Sequence, residues 1–227
     1  MKIGIIGSGN IGTALVHHLT RIGHEVMIAN SRGPETLKDL AAETGATPVT
    51  AEQAAAAEDL VIITIPEKAI PELPIDVLSA SKAIIVDTGN YYPTRDGELK
   101  EILSGTPDSA WVASVIKHPV IKAFNNIYAA SLAENGLPTG SPNRIALSVA
   151  GDDESHKQVV MQLIDDIGFD AIDTGALSES WRQEPGSLAY CHDLDKAALR
   201  TALDDADASK RAENRAAADE QLRSLLS

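Results

Sequence analysis

One cysteine, Cys191, stands in a chain of 227 residues, so no intrachain disulfide can form and a reducing compartment is expected. Aromatic residues are scarce, at 4% against 44% hydrophobic residues overall, so the core must be built from aliphatic side chains and alanine. No apolar run reaches the roughly 20 residues needed to span a membrane. No basic-then-apolar leader precedes the first strand, because Met1-Lys2 run directly into it. Paired cysteines, HExxH and GxSxG are also missing, which removes the common zinc sites and the nucleophile elbow. Positive charge is outnumbered, 19 Lys and Arg against 33 Asp and Glu, for a formal net charge of −14. That balance argues against nucleic acid and anionic membrane surfaces as partners. The expectation is a soluble cytoplasmic protein acting on a small-molecule partner. Its length suits one large domain, or one domain with a small appendage.

What is present is concentrated near the N-terminus. An apolar run, Ile3 to Ile6, leads into Gly7-Ser8-Gly9-Asn10-Ile11-Gly12, which opens a segment patterned as a helix. Strand, glycine turn and helix in this order form the fingerprint of a dinucleotide-binding βαβ unit. Gly7 permits the tight turn, Gly9 lets the backbone approach a pyrophosphate, and Gly12 lets the helix pack near the strand. The phosphates would then meet N–H groups at the helix N-terminus.

The second strand, His24 to Ala29, ends in Asn30-Ser31-Arg32, where an NAD site usually carries an acid for the ribose 2′-OH. With a neutral slot followed by arginine, Ser31 and Arg32 suit a 2′-phosphate, so NADP is favoured over NAD. Lys38 is placed to add charge. The plainer alternative has Asn30-Ser31 capping the next helix and Arg32 solvated.

Strands and helices alternate beyond this point. Helices are expected over 11–21, 34–44, 67–79 (made irregular by Pro71 and Pro74), 126–134 and 152–167. Strands are expected over 60–65, 83–86, 119–124, 144–150 and 169–172. Thr50 and Gln53 have capping-box spacing before a short alanine-rich helix, whose Ala54 to Ala57 reads as a brief low-complexity patch. Residues 137–143 read as a loop, 178–192 as irregular, and 194–226 as an acidic, alanine-rich helical tail. The alternation predicts an α/β fold: a doubly wound parallel sheet with a small C-terminal helical portion, divided as 1–175 and 176–227.

Such sheets bind ligands at the carboxyl ends of their strands. Besides the glycine turn and Asn30 to Arg32, this selects Thr64 and Pro66, then Asp87, Thr88 and Asn90, then Asn125 and Asn126. Thr64-Ile65-Pro66 would lie under the cofactor bridge, or simply end a strand. Asp87, Thr88 and Asn90 suit the nicotinamide ribose, or equally an Asx turn. Asn125 and Asn126 offer one helix cap and one group facing the reaction centre. His118 is a candidate proton donor, although a histidine before proline is more often structural. Adjacent His17 and His18 point to different faces of a helix and cannot share a metal. No acid–base dyad stands out, which suits hydride exchange between two flat redox cofactors, where positioning matters most.

GSGNIG, ANSRGPETL, VDTGNYYP, VIKAFNNI and VAGDDESHKQVVMQLIDDIGFD followed by DTGAL together resemble the NADP oxidoreductases that depend on a deazaflavin coenzyme, over about residues 1 to 190. The resemblance implies a Rossmann domain, a small C-terminal portion and a homodimer. It also implies hydride exchange between NADP(H) and coenzyme F420 (8-hydroxy-5-deazaflavin), and it maps Ser31 and Arg32 onto the 2′-phosphate site. The tail from Trp181 is longer than that pattern and leaves a flavin or another acceptor open. Trp181, Tyr91 and Tyr92 could stack on such a ring, with core packing the plainer role. Two other readings stand beside this one. One is reduction of a small imine or carbonyl with His118 or Tyr190 as donor. The other is an NADP(H) sensor acting through its tail.

Overall fold

The computed structural model describes residues 1–226; Ser227, the last residue of the expected C-terminal segment, lies outside them. The first half alternates much as read, with one strand, β3, that was not expected: β1 (Lys2–Ile6), α1 (Asn10–Arg21), β2 (Glu25–Ala29), α2 (Lys38–Thr44), β3 (Thr47–Pro48), α3 (Ala51–Ala55), β4 (Leu60–Ile63), α4 (Ile75–Ser79) and β5 (Ile84–Asp87). Three short helices follow, α5 (Pro93–Asp96), α6 (Lys100–Leu103) and α7 (Asp108–Ile116), before β6 (Ile121–Lys122) and α8 (Ala129–Glu134). Then come β7 (Ala146–Val149), α9 (Glu154–Asp166), β8 (Asp170–Asp173), α10 (Lys196–Asp204) and α11 (Arg211–Leu226).

Six strands form one parallel sheet in the order β3-β2-β1-β4-β5-β6, the doubly wound Rossmann arrangement. The central strands are buried on both faces, and alternation sorts their side chains between two cores. Ile3, Ile5, Ile28, Leu60 and Ile62 pack with Leu15 and Leu19 of α1, Leu132 of α8 and Leu163 of α9. Ile6, Val61, Ile63 and Ile85 pack with Ala54 of α3, Leu78 of α4 and Trp111, Val112 and Ile116 of α7. Ala54, Ala55 and Ala57 are therefore not a low-complexity patch but a packing device. A Cβ on Gly4 of β1 would lie 1.9 Å from the Ala54 carbonyl oxygen, so small residues let α3 lie against the strand.

Several expectations are corrected. The parallel sheet stops at β6, because β7 and β8 pair only with each other. They join the main sheet through one antiparallel bridge, Lys122 to Ala150, with hydrogen bonds of 2.8 and 3.0 Å. The expected helix over 34–44 begins as a 3-10 turn at Pro34–Leu37. That over 67–79 is a 3-10 segment, Glu67–Glu72, separated from α4 by Leu73-Pro74, since proline cannot continue the ladder. The strand read as 119–124 shrinks to two residues, and Phe124 beyond it adopts a left-handed φ of 62°. Helix α8 begins at Ala129 instead of Asn126. The Thr50–Gln53 capping box is present in both directions.

Candidate active site

On the carboxyl side, β1, β2, β4, β5 and β6 each deliver one piece of the site. β1 leads into the glycine turn, where Gly7 has φ 121° and a Cβ would lie 2.4 Å from the Thr64 carbonyl oxygen. A Cβ on Gly12 would lie 2.0 Å from the Gly7 oxygen, so the turn closes only on glycine. Thr64 Oγ1 donates to the Gly7 oxygen at 2.9 Å and ties the end of β4 to the turn. Gly9 differs: nothing lies within 4 Å of where its Cβ would be. Its smallness answers no neighbour in the protein and leaves space at the start of α1, which no side chain caps. Helix-start N–H groups without intrahelical partners face such a space.

The loop after β2 is built around Asn30. Its Nδ2 donates to Ser8 Oγ at 3.1 Å and to Thr36 Oγ1 at 3.0 Å, while its Oδ1 accepts from the Arg32 N–H at 3.0 Å. The loop is thereby fastened beside the glycine turn, with Ser31 and Arg32 exposed. Asn30 organises the loop and leaves the exposed functional groups to its two neighbours. Lys38 is taken up by an ion pair with Glu35.

A cleft of about 740 Å³ runs from Gly9-Asn10-Ile11 across Thr64-Ile65-Pro66, then Thr88-Gly89-Asn90, to Asn125. Its far wall comes from the tail, including Tyr190, Cys191, His192 and the α11 residues Asn214, Ala218 and Leu222. The strand-end rule thus brings Gly9, Asn10, Ile11, Thr64, Pro66, Asn90 and Asn125 together. Other candidates are placed elsewhere. Asp87 turns inward, fully buried: Oδ1 accepts from the Gly89 N–H at 3.0 Å and Oδ2 from Ser109 Oγ at 2.5 Å. It makes the Asx turn and is closed to a ribose. Asn125 reaches the cleft but spends its side chain on Asn90 and Gln183, at 2.7–3.0 Å. Asn126 is buried, accepting from the Ser148 N–H at 3.3 Å, and neither asparagine caps α8. His118 precedes β6 at the opposite end of the sheet and bonds the carbonyls of Pro119 and Ser81, so it is removed from the cleft. Tyr91 is wholly buried, and Trp181 lines a smaller cavity of about 220 Å³ between the Arg182 and Arg211 guanidinium groups. Of the three aromatics read as possible stacking groups, only Tyr92 lines the cleft. Its hydroxyl lies 2.8 Å from that of Tyr190, and burial pushes both phenols up. Burial likewise pushes the Cys191 thiol up, to about 11, so it is no thiolate nucleophile.

Behind this wall lies a buried ionic lattice. Lys122, fully buried at the end of β6, donates closely to the Gly89 carbonyl and lies 3.5 Å from Asp87 Oδ2, bracing the turn after β5. Asp108 accepts from the Tyr91 N–H at 3.0 Å, and its own N–H donates to Glu184 Oε1 at 2.8 Å. Arg215 of α11 bridges the pair, 2.9 Å from Asp108 Oδ1 and 2.7 Å from Glu184 Oε2. The contact with Asp108 is an ion pair without hydrogen-bond alignment. Burial and neighbouring Glu184 push the Asp108 carboxyl up to about 6. Asp219 of α11 accepts from the Thr94 N–H and hydroxyl, both at 2.8 Å. These residues escaped the motif reading. Only Lys122, a charge inside the apolar run Val120 to Phe124, carries a visible signal.

A parallel sheet with this strand order, a glycine turn and a carboxyl-end cleft is the nucleotide-binding fold of NAD(P)-dependent oxidoreductases. Residues 2–91 match the family described as NADP oxidoreductase, coenzyme F420-dependent, so the resemblance read from the motifs holds over that segment. Protein YjhV of Escherichia coli K12 is 45% identical over 69 residues, 30% of this chain and 50% of that protein. The chain thus spans about half the length of this curated relative. Among solved structures, hypothetical protein SMa0349 of Sinorhizobium meliloti superposes with a TM-score of 0.72 at 28% identity, covering 86% of this chain and 96% of that one. A protein of Arthrobacter sp. FB24, proposed to be an F420-dependent NADP reductase, gives 0.65 at 23% identity, covering 79% and 87%. The latter likeness is one of fold. No helix among the described residues is long and apolar enough to cross a membrane, and no cluster of metal-ligating side chains occurs among them.

Proposed function

We propose that the chain is an NADPH-dependent oxidoreductase passing a hydride between NADP(H) and a small acceptor with a flat redox ring, a deazaflavin such as coenzyme F420 or a flavin. The observation that carries this reading is the continuous cleft from the uncapped start of α1 to the tail, with room at Gly9 for a pyrophosphate. Arg32 and Ser31, exposed on a loop fastened to the glycine turn and free of any acid at the ribose position, favour the 2′-phosphate of NADP. Bound in the cleft, the nicotinamide would supply a hydride, so that NADPH, oxidised acceptor and one proton give NADP⁺ and reduced acceptor. The chain's own residues would orient and shield: Thr64 and Lys122 brace the two turns, and the tail excludes water.

The test follows NADPH consumption with coenzyme F420 beside riboflavin and FMN. Turnover with the deazaflavin or a flavin is expected. Tight NADPH binding without turnover on any of them would overturn the reading. Imine or carbonyl reduction is supported by one specific observation, the Tyr92–Tyr190 hydroxyl pair on the cleft wall. A phenol held neutral is a proton donor, and Tyr190→Phe would then abolish imine reduction while sparing transfer to a flavin.

A further inference from the structure

The residues lining the cleft include no Asp, Glu or Lys, although acids outnumber bases in the chain by 33 to 19. The ionisable nitrogen-bearing side chains on its wall are Arg95 and His192. Arg95 is fixed from one side. Its Nε donates to Asp96 Oδ1 at 3.0 Å, and its Nη2 donates to Glu67 Oε2 and Asp96 Oδ2, each at 2.8 Å, and closely to the Asn90 carbonyl. Among the described residues, Nη1 makes no hydrogen bond, and the side chain is 32% exposed. The Arg95 guanidinium also lies 5.4 Å from the centre of the Tyr92 ring, a flat neighbour on the same wall. Burial, with Asp108 and Asp87 nearby, pushes the Glu67 carboxyl well above its usual range.

Position separates Arg95 from the anions of the nucleotide. It follows β5, whereas the pyrophosphate space follows β1 and Arg32 follows β2. At roughly 4.8 Å between neighbouring strands, that is about 10 and 14 Å across the sheet. A fixed cation with one nitrogen to spare, in a wall without carboxylates, recognises an anion through a charge-assisted hydrogen bond.

We propose that Arg95 determines specificity for the second substrate, selecting one that carries a phosphate or carboxylate beside its redox ring. The inference rests on the reading above that the cleft takes a second substrate. FMN and riboflavin share one ring and differ by a phosphate, so both are titrated against the protein saturated with NADP⁺, read by quenching of flavin fluorescence. FMN should bind at least about tenfold more tightly, in line with a hydrogen bond to a charged group. Arg95→Gln should bring the two to equal affinity with NADP⁺ affinity unchanged. Arg95→Lys should keep part of the preference, and His192→Gln all of it. Because Arg95→Gln strips two buried carboxyls, Glu67 and Asp96, of their cation, the Glu67→Gln/Arg95→Gln/Asp96→Asn triple variant removes all three charges together and should show the same loss. Equal affinities in the unaltered protein, binding of neither flavin, or a preference that survives Arg95→Gln would each overturn the proposal. A phosphate preference without NADPH turnover on any acceptor would instead overturn hydride transfer and leave the Arg95 site standing.

Discussion

The two sides of the cleft are held by different forces. The sheet side, from β1 to β4, is shaped by backbone and close packing: glycines where a Cβ cannot fit, alanines under Gly4, and aliphatic strands sorted between two cores. The tail side is fastened by charge, with Arg215 set between Asp108 and Glu184 and Asp219 on Thr94. A packed wall tolerates little change anywhere, whereas a charge-fastened wall concentrates its dependence in a few side chains.

Removing the central cation should break this contrast most severely. Arg215→Met leaves buried Asp108 without its cation and Glu184 with Arg211 alone, and a loss of about 3–5 kcal/mol is expected in urea unfolding, with new protease cleavage around 205–215. An unchanged midpoint would show that α11 is held by packing after all. Next comes the nucleotide side. Arg32→Ala should weaken NADPH binding by about 1.5–3 kcal/mol, the worth of hydrogen bonds to a charged group, and barely affect NADH. Equal losses would remove Arg32 from the 2′-phosphate.

Glycines sharpen the comparison further. Gly12→Ala drives a methyl group into the Gly7 carbonyl and should lower stability by about 1–3 kcal/mol while abolishing dinucleotide binding. Gly9→Ala meets no protein atom, so it should leave the unfolding midpoint nearly unmoved and weaken NADPH binding alone. A large loss of stability at Gly9 would contradict the open space there.

The smallest effect is expected for pH, where groups shifted in opposite directions work against one another. Asp108, raised from 3.8 to about 6 by burial, holds its proton more tightly in the folded state. Its contribution is fully present below the unfolded value and is lost as pH rises through the folded one. Exposed Asp153, Glu154 and Asp207 are lowered, chiefly by side-chain hydrogen bonds, and contribute in the opposite direction, losing effect as pH falls. Asp108→Asn isolates the first contribution. The stability of the unaltered protein relative to this variant should decline from about pH 4 to pH 7, and a constant difference would refute the assignment.

Legibility in the sequence followed the same division. GSGNIG, the acid-free end of β2 and the Thr50–Gln53 box are local, and each was readable because its physics is confined to neighbouring residues. The doubly wound sheet was likewise legible through β5 except for two-residue β3, too short to show an alternation. Helices α5 to α7 were not, since four-residue helices show no period and α7 is apolar on most sides. Asp108 and Glu184 stayed hidden because the cation between them, Arg215, lies far along the chain. Asp87 left two readings open, a ribose contact or an Asx turn, for a related reason. A strand-end carboxylate looks the same in sequence whether it faces the cleft or, as here, Ser109 and Lys122.

The six-stranded sheet is bounded by two of its shortest strands. β3 has two residues and includes Pro48, which lacks a backbone donor, and two-residue β6 is covered by the Ala150 bridge. Blunt, proline-bearing or occupied edges are how sheets resist adding foreign strands. With a net charge of −14 adding mutual repulsion, this chain is built against edge-to-edge aggregation in a crowded solution.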